Sequence, residues 1–212
     1  MNEKIAWITL AKVGAIIRNG HFIYTSGQHG SVYVDKDALY PHVCETSDLC
    51  RLIAKQFMFD GIEAVVAPEK GGIILSQWVA FHLCELTGRE ALAFYAEKTN
   101  DGGFEIKRGG AKTKLRGKSV LVVEDVLTTG GSAEKTIKEV RNLGGNVMGL
   151  GVLCNRGEVG PRNVGDPPRI FALVNVKLDA WDEENCPLCG RGMPINTDVG
   201  KGREYVASKN LQ

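Results

Sequence analysis

Four apolar residues, Val120 to Val123, run without a break into Glu124-Asp125-Val126-Leu127-Thr128-Thr129-Gly130-Gly131-Ser132. A strand that is apolar at consecutive positions is buried on both faces, the habit of a parallel sheet covered by helices. In such a sheet ligands sit beyond the carboxyl ends of the strands. This run puts two carboxylates, three hydroxyls and two glycines there. Adjacent carboxylates can grip vicinal hydroxyls or a hydrated divalent cation. The glycines let backbone N–H groups at a helix start approach an anion closely, and Ser132 is placed to cap that helix. The spacing is not GxxxxGK[ST], so this is not a Walker A loop. Alone, the acidic pair reads as a solvated turn and the hydroxyl–glycine run as a helix cap. Joined directly to a buried strand, the nine residues point to a phosphorylated sugar.

The same alternation of strand, turn and helix recurs along the chain. Ala6, Leu10, Val13 and Ile17 share one helical face over residues 4–19, with Gly20 as the stop. A polar, β-prone stretch follows from His21 to Tyr40. Leu49, Leu52, Ile53 and Phe57 mark a second helix, closed by Gly61. Residues 62–67 read as a buried strand leading into Pro68-Glu69-Lys70-Gly71-Gly72. A helix with Leu75, Val79 and Leu83 then runs to Gly88, and residues 91–95 form another strand. Residues 147–153 and 170–176 supply two more. The expected fold is α/β, a mostly parallel twisted sheet flanked by helices. The expected segments are an N-terminal helix and small hood subdomain over 1–42, a core over 43–180, and a tail over 181–212.

Composition removes several function classes. Lys and Arg number 26 against 25 Asp and Glu, a net charge of +1, so the whole chain has no electrostatic reason to seek nucleic acid or an anionic membrane. Hydrophobic residues at 43% exclude disorder as the main state. The longest apolar runs fall well short of the ~20 residues that cross a bilayer. No signal-peptide core follows Met1, and six scattered cysteines do not form a disulfide framework, so a cytoplasmic location is expected.

The run from Val122 to Ser132 resembles the phosphoribosyl-pyrophosphate signature of type I phosphoribosyltransferases. Other segments narrow the likeness. Gly20-His21-Phe22 with Thr25-Ser26-Gly27-Gln28-His29-Gly30-Ser31-Val32-Tyr33 is similar to the N-terminal region of orotate phosphoribosyltransferases. Ala67-Pro68-Glu69-Lys70-Gly71-Gly72-Ile73 is similar to their pyrophosphate loop. Tyr95-Ala96-Glu97-Lys98 matches the start of their mobile catalytic loop in one branch, where the Cys186-Pro187-Leu188-Cys189 tail also occurs. The resemblance implies transfer of a phosphoribosyl group from 5-phosphoribosyl 1-pyrophosphate to orotate. It also implies Mg²⁺ held mainly by substrate with no direct protein ligand, and a homodimer in which Lys98 serves the neighbour's phosphates.

Residue by residue, the resemblance places Lys70, Gly71, Gly72 and Lys98 on pyrophosphate. Glu124 and Asp125 fall on the ribose hydroxyls, and the stretch Val126, Leu127, Thr128, Thr129, Gly130, Gly131 and Ser132 around the 5′-phosphate. Lys70, Lys98 and Asp125 are the candidate catalytic residues. Thr128, Arg156 and Tyr33 are expected at orotate, Arg156 as a fork for its carboxylate. Residues 98–118 carry seven Lys or Arg against two acids, with glycines between, and read as a lid. Two departures stand out. The later Lys and His of the family loop are absent, so either Lys107 or Arg108 substitutes or fewer cations serve. Thr25 stands where many relatives carry a Lys, which Lys36 can replace.

Three further points stay open. The Cys186–Cys189 pair reads first as two structural thiols, since no second Cys-x₂-Cys or His pair lies nearby in sequence. A metal shared with another element and a redox pair are the alternatives. His29 and His42 read as turn or surface histidines. A purine-type phosphoribosyltransferase, or a regulator sensing phosphoribosyl pyrophosphate, are the competing functions. The first usually lacks the N-terminal motif, and the second would show a basic helical face that this chain does not have.

Overall fold

The computed structural model describes residues 2–24, 26–176 and 179–209. Two compact units emerge: one joins residues 1–7 to 40–176, the other joins 8–39 to 177–212. The hood and the tail, read from sequence as separate segments, thus group together.

The larger unit is built on a six-stranded sheet. In chain order its elements are α2 (Val43–Phe57), β3 (Ala64–Pro68), α3 (Gly72–Thr87), β4 (Leu92–Lys98), β5 (Phe104–Glu105), α4 (Ala111–Lys114), β6 (Ser119–Leu127), α5 (Gly131–Asn142), β7 (Asn146–Asn155) and β8 (Ile170–Asn175). The strand order is β5-β4-β3-β6-β7-β8, parallel throughout except for β5, which runs antiparallel to β4. The expected mostly parallel α/β sheet is therefore present. Val66, Val120 and Val122 turn to one face and pack with Ala133, Ile137 and Val140 of α5. Val123, one residue on, points the other way, where it meets Ile53 and Phe57 of α2 over Gly151. Each such buried aliphatic side chain contributes roughly 1.5–3 kcal/mol.

The smaller unit holds the rest of α1 (Asn2–Lys12), the hairpin β1 (Ile16–Ile23) and β2 (His29–Val34), α6 (Pro187–Gly190) and α7 (Gly202–Lys209). The tail is laid along the hairpin by main-chain bonds. His29 and Trp181 exchange N–H···O contacts of 2.8 and 2.9 Å, and the Asn196 N–H donates to the His21 carbonyl at 2.8 Å.

The first helix is shorter than its pattern suggests. It ends at Lys12, and Ile16 and Ile17 pair in β1 with Val34 and Tyr33. Gly14, at φ +74°, turns the chain there, a conformation that costs other residues about 1–2 kcal/mol. The β-branched pair after it then suits a strand better than a helix. Ala6, Leu10 and Val13 are buried as expected of one helical face.

Candidate active site

β6 delivers the site. It continues two pairs past the apolar core, with Val126 and Leu127 still opposite Cys154 and Asn155 of β7. Glu124 and Asp125 therefore lie within the strand and are buried. Asp125 is held on both oxygens. The Val126 N–H donates to Oδ1 at 2.6 Å, and the Tyr40 hydroxyl donates to Oδ2 at 3.1 Å. Burial, followed by the Asp125 charge beside it, pushes the Tyr40 hydroxyl far above its usual value. It remains a donor at any working pH. The loop after β3 presses on the same carboxylate: a Cβ on Gly71 would overlap Asp125 Oδ2 and lie 2.9 Å from Tyr40 Oη. Glycine at this position is a steric requirement.

The loop after β6 turns on Gly130, at φ +86°, where a Cβ would meet Val164 at 2.7 Å and the Asn163 carbonyl at 2.9 Å. Gly130 is the N-cap of α5 and makes no side-chain cap bond. The expectation that Ser132 caps this helix fails, because the helix begins at Gly131 and Ser132 already lies in its first turn. Ser132 lines the cleft instead. The leading N–H groups of α5 have no acceptor within the helix and carry its positive end.

These pieces converge. Glu69, Lys70, Lys98, Phe104, Thr129, Gly131, Ser132 and Lys135 line one cleft of about 420 Å³. Three lysines face a single carboxylate there, beside a helix N-terminus. Such a charge arrangement suits an anion. The Glu69 side chain accepts the Lys98 N–H at 3.0 Å, tying the loop after β3 to the end of β4.

Comparison with known proteins gives this geometry its context. Residues 45–184 match the phosphoribosyl transferase domain. The orotate phosphoribosyltransferase of Desulforamulus reducens is 38% identical over 194 residues, 92% of this chain and 95% of the relative. That of Thermotoga maritima is 35% identical over 91% of this chain and 96% of its own length. The chain belongs to the orotate phosphoribosyltransferase family. The solved orotate phosphoribosyltransferase of Aeropyrum pernix superposes with a TM-score of 0.66 at 28% identity, over 82% of this chain and 94% of that one. The adenine phosphoribosyltransferase of Thermoanaerobacter pseudethanolicus also shares the fold, with a TM-score of 0.59 at 20% identity over 79% of this chain and 99% of its own. Fold alone therefore does not choose the base.

Within this orotate phosphoribosyltransferase fold, most residues expected at the site are brought together. Lys70, Lys98, Thr129, Gly131 and Ser132 share the cleft, and Asp125 lies against Gly71. Gly72 starts α3. Leu127 is buried in the core cluster, so only its backbone is available; its carbonyl accepts the Arg156 N–H at 3.0 Å. Arg156 itself donates from Nε to Thr128 Oγ1 at 2.9 Å, joining the two residues expected at the base. Tyr33 lies in the other unit, on β2, with its ring 5.6 Å from that of Phe22. Lys36 sits in a short 3₁₀ turn of that unit, and Thr25 falls outside the described residues.

The basic segment departs from expectation. Ile106, Ala111 and Leu115 anchor it in the core, while residues 98–105 hold no buried apolar side chain. Lys107 and Arg108 do not line the cleft. They form surface ion pairs with Glu105 at 3.5 Å and Glu97 at 3.4 Å. The additional cation is Lys135 of α5, whose Nζ also donates to the Gly102 carbonyl at 2.7 Å. Lys98 lines the cleft of its own chain. Sequence reasoning missed Tyr40 and Lys135. Lys135 had a signal, three residues after Ser132 on the helix that follows the hydroxyl–glycine run. Tyr40 had none.

Proposed function

We propose that the chain transfers the phosphoribosyl group of 5-phosphoribosyl 1-pyrophosphate to orotate, releasing orotidine 5′-phosphate and pyrophosphate for pyrimidine nucleotide synthesis. The convergence of the Thr129–Ser132 loop with Lys70 and Lys98 on one cleft carries this reading. The α5 N–H groups and the Thr128, Thr129 and Ser132 hydroxyls receive the 5′-phosphate. Asp125 and Glu124 hold the ribose hydroxyls, Asp125 being kept in orientation by Tyr40. As the bond to C1′ breaks, positive charge builds on the ribose and negative charge on pyrophosphate. Lys70, Lys98 and Lys135 stabilise the latter, and no covalent nucleophile is required. Arg156 keeps its Nη groups for the orotate carboxylate while Nε stays on Thr128.

The acid pair fits a cation carried in by substrate. Part of Asp125's acceptor capacity is already committed to Val126 and Tyr40, leaving it suited to hydroxyls and metal-bound water. When bound, Mg²⁺ supplies charge neutralisation on the departing pyrophosphate. The reading includes a homodimer, which the sequence resemblance implies, and a cytoplasmic location, which the scattered cysteines and the N-terminal sequence lead one to expect. The test is product analysis after incubation with phosphoribosyl pyrophosphate, Mg²⁺ and a panel of bases. Orotidine 5′-phosphate and pyrophosphate in equal amounts are expected. A purine monophosphate as the sole product would overturn the base assignment.

A further inference from the structure

Four metal-ligating side chains meet in the smaller unit. His21 and His29 come from the two strands of the β1–β2 hairpin, and Cys186 and Cys189 from the turn around α6. Their ligand atoms all lie within 4.8 Å of one another. His21 Nε2 is 2.8 Å from His29 Nδ1, 3.7 Å from Cys186 Sγ and 3.8 Å from Cys189 Sγ. Cys189 Sγ is 3.3 Å from His29 Nδ1. His29, expected at a turn or on the surface, is fully buried, with His21 at 1% and Cys186 at 4% exposure. Sequence showed no second ligand pair beside the cysteines; the hairpin provides one from more than 150 residues away.

The surroundings orient these atoms as metal ligands. His21 Nδ1 lies 2.8 Å from the Met193 carbonyl, which only accepts, so Nδ1 carries the proton and Nε2 turns a lone pair into the cluster. Among the described residues His29 Nε2 has no hydrogen-bond partner, so the polar anchoring of that ring comes from the cluster side. Without a cation the two rings share one proton between them, and in either state His29 Nε2 stays without a partner. A cation between them uses both lone pairs.

We infer that His21, His29, Cys186 and Cys189 bind a structural zinc ion. Two imidazoles and two thiolates complete the tetrahedral set that zinc takes in closed sites, with no position left for substrate. Two thiolates also balance the charge of a divalent ion, so the assembly is neutral where it is buried. The site clamps the tail onto the hairpin within a unit assembled from two short stretches of chain. Units that small have little core of their own and gain most from a metal staple.

The full chain, made without a polyhistidine tag and purified without chelator, is to be analysed for metals. A single zinc ion per chain is expected. Replacement by Co²⁺ should give the intense visible bands of a tetrahedral thiolate centre. Cys189→Ser should lower zinc affinity at least about tenfold, whereas Cys44→Ser, at an exposed cysteine elsewhere, should leave it unchanged. Should Cys189→Ser fail to fold, titrating the wild-type chain with a mercurial must release zinc in step with two thiols. A chain that stays zinc-free after dialysis against Zn²⁺, or whose intact mass reveals a Cys186–Cys189 disulfide, would overturn the inference.

Discussion

Asp125 shows how little a single carboxylate does alone and how much depends on what holds it. Its oxygens take the Val126 N–H and the Tyr40 hydroxyl, and Gly71 leaves just enough space for Oδ2. Tyr40→Phe removes one hydrogen bond to a charged acceptor. Weakening of phosphoribosyl pyrophosphate binding by about tenfold, the equivalent of about 1.4 kcal/mol, is expected. Steady-state KM and kcat separate this from a loss of fold. Gly71→Ala forces the carboxylate or the loop aside, and kcat/KM should fall about 100-fold with an unchanged circular-dichroism spectrum. Asp125 and Lys70 were legible in the sequence because each sits in a short contiguous motif. Tyr40 was not, since it reaches Asp125 across 85 residues of chain. The same holds for His21 and His29, whose meeting with the cysteines exists only in the folded unit.

The strand–turn–helix elements were readable because their apolar periods are strong and their glycine stops unambiguous, as at Gly88, the left-handed C-cap of α3. Failures came where two periods overlap. Ile17 continues a helical stripe and a strand equally well, and the turn at Gly14 decides between them. In residues 98–118, the charge density hid the three apolar anchors Ile106, Ala111 and Leu115. The loop after β6 allows a paired test of the reading that turn and helix start have separate roles. Gly130→Ala meets a left-handed backbone and the Val164 side chain, and should cost about 2 kcal/mol or more of stability in urea denaturation. Gly131→Ala meets only Thr129 Oγ1, at 3.8 Å. It should fold with wild-type stability and lose affinity for inorganic phosphate by calorimetry, because the new methyl stands where the anion approaches the helix.

Across the whole molecule, buried thiols set an alkaline limit. Burial pushes Cys50 well above its ordinary value and Cys154 up to about 12. A group raised in the folded state contributes stability that is complete below its unfolded value, ~8.5 for a thiol. That stability is lost as pH rises toward the folded value. The free energy of unfolding, measured by urea denaturation, should therefore hold steady to about pH 8 and fall above it, by up to about 1.4 kcal/mol per thiol per pH unit. A Cys50→Ala/Cys154→Ala variant, less stable at neutral pH, should show a shallower decline. The phosphoribosyl transferase domain matched over residues 45–184 and the orotate phosphoribosyltransferase relatives place the chain in its family, and the base it uses is the claim most exposed to experiment. The direct measurement follows orotate absorbance with phosphoribosyl pyrophosphate and Mg²⁺, each omitted in turn, for the wild-type chain and Asp125→Asn. Loss of the orotate band only when all three are present, slowed at least about 100-fold in Asp125→Asn, is the expected result. An unchanged orotate band with the complete mixture would contradict it.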